Sequence, residues 1–505
     1  MILLGVLVPL WFMIHASGKS RLVLTSIYFR LCRVRYVPLD KLPIDKEQLS
    51  MISEETIVIP SSLLNMPIKK AIFHLAWPAM FSGLLENLAT TVDMIMVGKL
   101  GAAAIASVGF CAMINWALAS LVMGMSVAVT AIVARNFGGG LRQDAEFDLA
   151  QVILLSFALA VVMAFIIFAL APWIMNLFGV EKDVYVLSVP YLRIIAFSGI
   201  FYAMIATCSG ALRGAGDTRT PLFVGFVTNL IHVGLNYILI FGKLGFPTLG
   251  VRGAAFGSML SLIAGTGIYL YLFRSGLLKL SLSIHHFKWD SQRVWYIIRL
   301  AIPASIEQFI LQVGLLAYAK FIVVFGTAAL SGYQVGMQVL SLSFIPNGAF
   351  SAAATTLVGQ NLGADRKAMA KRAGWICLGL GTLSMSVIGA IAMINAKLLA
   401  SIFVKEPEVI RLGVAFIWIV AFSQPAMAIF FTLSGALRGA GDTRSPMLAT
   451  LIGMYGIRIP VSWILSEILN MGIEAIFSLL IFDYIARIVA ILFFYHRGKW
   501  MEKEV

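Results

Sequence analysis

Charged residues are scarce in this chain of 505 residues: 12% are charged, whereas 60% are hydrophobic. A soluble protein carries about 25% charged residues, so this chain cannot cover its surface with charge and must be solvated mainly by lipid. Uncharged runs such as residues 152–170 and 378–394 approach the roughly 20 residues that a membrane-spanning helix needs. Because the hydrophobicity comes in helix-length blocks, the sequence predicts an all-α integral membrane protein rather than a β-barrel.

Cysteine is also rare, and its placement excludes several kinds of site. The four cysteines, at positions 32, 111, 208 and 377, show no CxxC or Cys/His spacing, so neither a disulfide framework nor a metal site is predicted. A phosphate-binding loop and a nucleophile–base constellation are both missing, which argues against ATP as the energy source and against an enzyme. The net charge of +14 is attributed to basic cytoplasmic loops and not to nucleic-acid binding.

One segment of eleven residues occurs twice, letter for letter. Residues 209–219 read SGALRGAGDTR, and the same letters return at residues 434–444, an offset of 225. The same offset relates Pro78 to Pro303 and Gly101 to Gly326. The chain is therefore a duplicated unit, and this segment is called the repeated motif below.

The hydrophobic pattern predicts twelve membrane-spanning helices, six in each unit. Their approximate bounds are 71–97, 104–134, 148–178, 185–212, 220–242, 252–273, 296–325, 329–358, 372–403, 409–437, 446–466 and 473–496. Most Lys and Arg residues fall at one end of these helices, which the positive-inside rule places in the cytoplasm with both termini. An even number of spans per unit relates the two six-helix bundles by a pseudo-two-fold axis along the membrane normal.

The predicted organisation follows from these spans. An N-terminal leader of uncertain status (1–65) precedes an N-terminal bundle (66–274), a cytoplasmic linker (275–293), a C-terminal bundle (294–497) and a cytoplasmic tail (498–505). The leader has no counterpart in the second unit and is a poor signal peptide. It is interpreted as lying outside the fold, as an interfacial anchor, a further span or an artefactual start.

Several motifs resemble a known family in their order and spacing. Residues 92–101 read VDMIMVGKLG, residues 235–242 read LNYILIFG, and residues 358–363 read VGQNLG. Together with the repeated motif, they resemble the prokaryotic multidrug and toxic compound extrusion (MATE) transporters over residues 66–500. The resemblance implies a V-shaped pair of bundles in the inner (cell) membrane. It also implies export of small cationic amphipathic compounds against an inward flow of Na⁺ or H⁺, with no other cofactor; we expect a monomer among membrane lipids.

Acidic residues within the apolar helices are the first candidates for function, because an ionisable group in the bilayer is costly. Glu86 and Asp93 are two helical turns apart, so they share one stripe of the first helix. The resemblance implies that Asp93 couples transport to the ion, with Na⁺ at Asp93 as the one possible metal. In the second unit their counterparts are Leu311 and Tyr318, which confines coupling to the first unit. The alternatives are a hydrated Asp93, or one paired with Lys99, and a structural role for Glu86.

Two further groups of residues are predicted to take part. Asn229, His232 and Asn236 share one face of the fifth helix and are predicted to join Asp93, although interhelical hydrogen bonding would also explain them. The family often has Asn and Asp near the positions of His232 and Asn236. The change here removes a carboxylate and adds a group that titrates near neutral pH.

In the seventh helix, Glu307, Gln308 and Tyr318 are predicted to contact substrate, with a gate or structural acid as the alternative for Glu307. In the twelfth helix, Asp483 and Arg487 are four residues apart and are predicted to neutralise each other.

The repeated motif is predicted to be framework. Its glycines permit close packing and left-handed turns, Asp217 or Thr218 caps the fifth helix, and Arg213 and Arg219 anchor the link at the inner headgroups. The leading hypothesis for the whole chain is cation-coupled antiport by rocking of the two bundles. The alternatives are a flippase for a lipid-linked precursor, which would need a strongly basic cavity, and a non-transporting scaffold.

Overall fold

A computed structural model describes residues 63–503 of the chain, and every element in that range is helical. Twelve long helices follow one another: α1 Ile68–Gly98, α2 Ala102–Gly138, α3 Arg142–Leu177, α4 Lys182–Gly214, α5 Arg219–Phe241, α6 Val251–Arg274, α7 Ser291–Val323, α8 Thr327–Gly363, α9 Lys367–Ile394, α10 Pro407–Gly439, α11 Arg444–Ile468 and α12 Ile473–His496. These bounds agree with the predicted spans to within six residues, except that α9 ends at Ile394 and not at 403. Most of the predicted leader lies outside the described residues, and so does Cys32.

Ten of the described helices are long and apolar enough to cross a membrane. The two others, α1 and α8, are long enough but are not among these ten. A short helix, Ala396–Phe403, follows α9, and a 3-10 turn, Ile284–Phe287, lies in the linker. Two π-helical stretches, Ile452–Arg458 and Ile464–Ile468, interrupt α11.

The first helix of each unit packs against the other unit. Within each unit the second and fourth helices pack together, as α2 with α4 and α8 with α10. Helix α1, however, packs on α5 and on α8 of the other unit, while α7 packs on α11 and on α2. The helices α1, α2, α7 and α8 therefore form the boundary between the units.

The repeated motif packs in the same way in both units. The Thr130 hydroxyl on α2 donates to the carbonyl oxygen of Gly210 at 3.0 Å, and Thr355 on α8 donates to that of Gly435 at 2.8 Å. Both pairs are related by the offset of 225. A hydroxyl can reach the neighbouring backbone only because the glycines allow the helices to approach closely. The prediction that these glycines serve close packing is confirmed.

The aspartate of the motif caps the helix that follows it. Asp217 accepts the backbone N–H groups of Arg219 at 3.1 Å and Thr220 at 3.0 Å, so Asp217 rather than Thr218 satisfies the free donors at the start of α5. The preceding glycine, Gly216, has a φ of +79°, which favours glycine.

The second copy of the motif repeats this cap. Asp442 accepts the N–H of Ser445 at 3.2 Å and is also 2.8 Å from the ammonium group of Lys503 in the tail. The preceding glycine, Gly441, again has a φ of +79°.

The two units meet most closely where α2 and α8 end, at the end of the molecule that also holds the repeated motif. This end, where the even-numbered helices terminate, is called the basic end. Gly138 and Gly363, counterparts in the two units, lie directly against the backbone of Gln360 and Arg135 respectively, with no room for a side chain. The contact closes the basic end between the units.

Hydrogen bonds reinforce this closure. On α8, the Thr356 hydroxyl donates to the carbonyl oxygen of Arg213 at 2.9 Å, and the Gln360 amide donates to that of Gly214 at 2.8 Å. Both acceptors belong to the first copy of the repeated motif. The motif is thus part of the seal between the units as well as framework within each.

Candidate functional site

A cavity of about 600 Å³ lies between the units on the far side of this seal. Helices α1, α2, α4, α5 and α8 form most of its wall. Its most polar or charged lining residues are Glu86, Asn87, Tyr202, Arg213, Asn229, Gln308 and Arg438. Pockets of about 300–1,000 Å³ are typical of sites for small molecules.

Among the described residues, Glu86 is the one acidic residue that lines the cavity. Its side chain is exposed to this space, and within residues 63–503 it forms no ion pair. Asn229 on α5 lines the same cavity. These two residues, predicted to take part in coupling, are therefore placed to face a ligand in the cavity.

Asp93 lies two turns along α1 from Glu86 and belongs to a separate hydrogen-bonded chain. The Asn236 amide nitrogen on α5 donates to the Asp93 carboxylate and lies 2.9 Å from Nε2 of His232. The same ring nitrogen is 3.0 Å from the hydroxyl of Ser258 on α6. The chain of four side chains therefore connects α1, α5 and α6, and it brings together three of the five residues predicted for coupling.

A glycine on α6 makes this arrangement possible. The amide oxygen of Asn236 occupies the space that a Cβ at Gly257 would fill. Asn236 is 1% exposed, and its amide oxygen has no hydrogen-bond partner among the described residues. A buried acceptor without a donor is costly, so this oxygen is available to a cation or a proton donor.

Glu307 and Arg438 form a buried ion pair in the second unit. Their closest atoms are 2.5 Å apart, and their side chains are 1% and 9% exposed. Arg438 lines the cavity, whereas Glu307 stands behind it. The structure thus gives Glu307, predicted as a substrate contact, an intramolecular partner. Its neighbour Gln308 does line the cavity.

Tyr318 lies away from the cavity, in the core of the second unit. It is 1% exposed, and its hydroxyl donates to the carbonyl oxygen of Ile476 on α12 at 2.8 Å. The predicted substrate contact is therefore replaced, in this conformation, by a core contact between α7 and α12.

The sequence predicted that Arg213 anchors the motif at the inner headgroups, but its side chain points elsewhere. Its side chain lines the cavity, and one guanidinium nitrogen lies 3.3 Å from the Ser126 hydroxyl, to which it donates. Its counterpart Arg438 lines the cavity as well. The first arginine of the motif thus faces the space between the units in both copies.

The second unit holds a buried triad that the sequence did not predict. Asp483 is bonded to Arg487 at 2.6 Å, as predicted, but also to Arg458 at 2.5 Å. All three side chains are at most 3% exposed. On α4, Arg193 donates to the main-chain oxygen of Phe168 at 3.2 Å.

No group of three or more His, Cys, Asp or Glu residues that could hold a metal occurs within residues 63–503. The three cysteines in this range are buried and free.

The MatE family model matches residues 78–238 and 303–464. The chain belongs to this family. The two matches begin at Pro78 and Pro303, which the offset of 225 already relates. The predicted family and the predicted two-bundle, all-α fold are confirmed: MatE proteins are multi-pass membrane transporters and not enzymes.

Relatives and solved structures agree with this assignment. The chain is 33% identical to a probable multidrug resistance protein NorM of Thermotoga maritima over 446 residues, covering 87% of this chain and 94% of the relative. It is 25% identical to the probable multidrug resistance protein YoeA of Bacillus subtilis, covering 85% and 93%. A MATE structure in complex with MaL6 superposes with a TM-score of 0.82 at 19% identity, covering 88% of this chain and 100% of that one.

Proposed function

We propose that this MatE transporter exports cationic amphipathic compounds in exchange for protons, with Asp93 as the coupling residue. The single observation that carries the proposal is the chain of side chains from Asp93 through Asn236 and His232. It attaches α1, which carries both Glu86 and Asp93, to the rest of the first unit. Relatives named as multidrug resistance proteins support the substrate class.

The cavity supports a cationic substrate. Glu86 is its one acidic lining residue, and it has no ion-pair partner among the described residues. Of the two arginines in the wall, Arg438 is neutralised by Glu307, so the cavity is not the strongly basic one that a flippase for a phosphate-linked lipid would need. Glu86 is the proposed contact for the positive charge of the drug, with Asn229 and Gln308 as polar neighbours.

Protonation of Asp93 would change the hydrogen bonds between α1 and α5. An ionised carboxylate is only an acceptor, and here it accepts from Asn236; a protonated carboxyl also donates. The amide oxygen of Asn236 has no partner among the described residues. If the amide group flipped, this oxygen would accept a hydrogen bond from the protonated carboxyl. Such a change would repack α1 against α5 and alter the wall that holds Glu86.

The donor set near Asp93 favours H⁺ over Na⁺. Hard cations such as Ca²⁺ take six or more oxygen ligands. The side chains joined to Asp93 offer its carboxylate and one free amide oxygen, with the His232 ring nitrogen and the Ser258 hydroxyl beyond them. A proton needs only the carboxylate and a neighbour to exchange with. We therefore propose H⁺ as the coupling ion and propose that no other cofactor takes part.

Alternating access would proceed by opening the basic end. The seal of α2 against α8 lies at that end, and we propose that the cavity opens to the opposite side in this conformation. The excess of Lys and Arg at the basic end supports a cytoplasmic location for it and for both termini, in the inner membrane. We further propose that the transporter acts as a monomer surrounded by lipid.

Efflux from proteoliposomes tests the proposal. Wild-type protein should drive export of a fluorescent cationic drug under a pH gradient but not under a Na⁺ gradient. Asp93→Asn should abolish the gradient-driven export while leaving the yield of folded protein unchanged. The matched control is Glu467→Gln, which neutralises an exposed acid on α11. Equal export by Asp93→Asn would contradict the role of Asp93, and export driven by Na⁺ alone would contradict the choice of ion.

A further inference from the structure

Two adjoining cavities, of about 270 and 410 Å³, lie at the basic end between the starts of α7 and α11. They share Arg299 on α7 and Arg444 on α11. The pair of cavities is called the α7/α11 groove. The groove shares no lining residue with the cavity between the units, so the proposed transport cycle does not use it.

The groove gathers hydrogen-bond donors that lack acceptors. Arg299 and Arg444 are exposed and form no ion pair within residues 63–503. The nearest motif acid, Asp442, is already bonded to Lys503 at 2.8 Å. The hydroxyl of Tyr296, which lines the smaller cavity, is buried and has no hydrogen-bond partner among the described residues. These donors fit an anionic group that accepts several hydrogen bonds.

The larger cavity has an apolar wall that faces outwards from the bundle. Trp295 and Ile302 line it and are 67% and 51% exposed. One turn after Arg444, Leu448 continues this surface along α11 and is 42% exposed. An exposed apolar surface on a membrane helix is in contact with acyl chains, so the positive charges stand at the edge of a surface that faces lipid.

We propose that the α7/α11 groove binds an anionic phospholipid of the leaflet at the basic end. Its phosphodiester would lie between Arg299 and Arg444, because the planar guanidinium group can donate two parallel hydrogen bonds to a phosphate. The Tyr296 hydroxyl would donate to the same group. One acyl chain would lie on Ile302 and Leu448. Basic pockets between transmembrane helices are known to hold anionic headgroups. The apolar wall favours a lipid over free phosphate, which would use only the arginines.

The duplication shows that the groove belongs to the second unit alone. At the offset of 225, Tyr296 corresponds to Ala71, and Arg299 corresponds to His74, whose carbonyl oxygen accepts from Thr218. The first unit therefore lacks the tyrosine hydroxyl and one of the two guanidinium groups. A general attraction of basic loops for anionic lipid would not distinguish the two units, whereas a built site would.

Lipid binding to the purified full-length chain tests the proposal. The protein in neutral detergent would be titrated with dioleoylphosphatidylglycerol or dioleoylphosphatidylcholine, and bound lipid would be counted by native mass spectrometry. The test variant is Arg299→Gln/Arg444→Gln. The control is Lys371→Gln/Arg372→Gln, which removes the same charge from exposed residues at the basic end of α9.

One phosphatidylglycerol should bind tightly to wild type and to the control. In the test variant the affinity should fall by about 30-fold, the effect expected of two basic residues near a membrane surface. Arg299→Lys/Arg444→Lys keeps both charges but not the guanidinium groups, so it should recover only part of that loss. Tyr296→Phe should weaken binding without abolishing it. An equal loss in test and control variants would overturn the site. Competition by millimolar inorganic phosphate, or equal binding of phosphatidylcholine, would overturn the assignment to an anionic lipid.

Discussion

Arg438 donates to Glu307 at 2.5 Å in the interior of the second unit, and the equivalent positions of the first unit hold no such pair. Arg213, the counterpart of Arg438, donates to the Ser126 hydroxyl. It has no acidic partner at the position equivalent to Glu307, because that position holds Ser82. The two copies of the motif therefore carry the same arginine with different partners. That difference sets the charge on each side of the cavity.

Removing the acid of this pair should be costly. Glu307→Gln leaves the Arg438 guanidinium almost buried without a counter-charge, and breaking a buried pair in this way costs about 3–5 kcal/mol. Thermal unfolding in detergent should show a clear loss of stability. Affinity for a cationic drug should also fall, because Arg438 lines the cavity.

A double variant distinguishes the loss of the ion pair from the cost of leaving one buried charge without a partner. Glu307→Gln/Arg438→Gln should recover much of the stability, since neither side chain is then charged, whereas Ser82→Ala in the first unit should change little. If Glu307→Gln is as stable as wild type, the ion pair does not carry the role assigned to it.

Closure of the basic end depends on two glycines. In Gly363→Val the new side chain would collide with the backbone of Arg135, so the closed state should become less favourable. A cysteine introduced at Thr355, which lines the cavity, should then react faster with a membrane-impermeant thiol reagent added from the basic side. Gly379→Val is the control, because a Cβ at Gly379 meets nothing within 4 Å. An unchanged rate in Gly363→Val would show that the contact is not the seal.

The Arg458–Asp483–Arg487 triad should tolerate loss of an arginine better than loss of its acid. Asp483→Asn leaves two buried guanidinium groups that repel each other, and we expect a loss of more than about 3 kcal/mol or failure to fold. Arg458→Met keeps the bidentate pair between Asp483 and Arg487 and should be much milder. Equal yields and equal unfolding temperatures for the two variants would contradict this ordering.

The sequence predicts the framework well because the framework is repeated and local. The offset of 225, the helix bounds and the pairing of Asp483 with Arg487 all depend on residues that are close in the chain or related by the duplication. The grouping of Asp93, His232 and Asn236 needed the family resemblance in addition. The spacing of three and four residues on α5 shows a shared face but not what that face meets.

What the sequence could not show is how each helix is rotated about its axis. Helices that are apolar all round give no single buried face, so the direction of Arg213 could not be read from the pattern around it. Partners distant in the chain were missed for the same reason: Glu307 and Arg438 are 131 residues apart. Asn229 lies two turns from Asn236 on the same face of α5. It therefore lies with Glu86 at the cavity and not with Asp93, and the sequence pattern does not show this difference.

The most direct test of the account is to measure proton release when a drug binds. In weakly buffered detergent solution, adding a cationic drug to purified wild-type protein should release protons, because drug and proton compete through α1. Asp93→Asn should still bind the drug at Glu86 but release none. Binding with the same proton release in Asp93→Asn as in wild type would contradict the claim that Asp93 is the coupling residue.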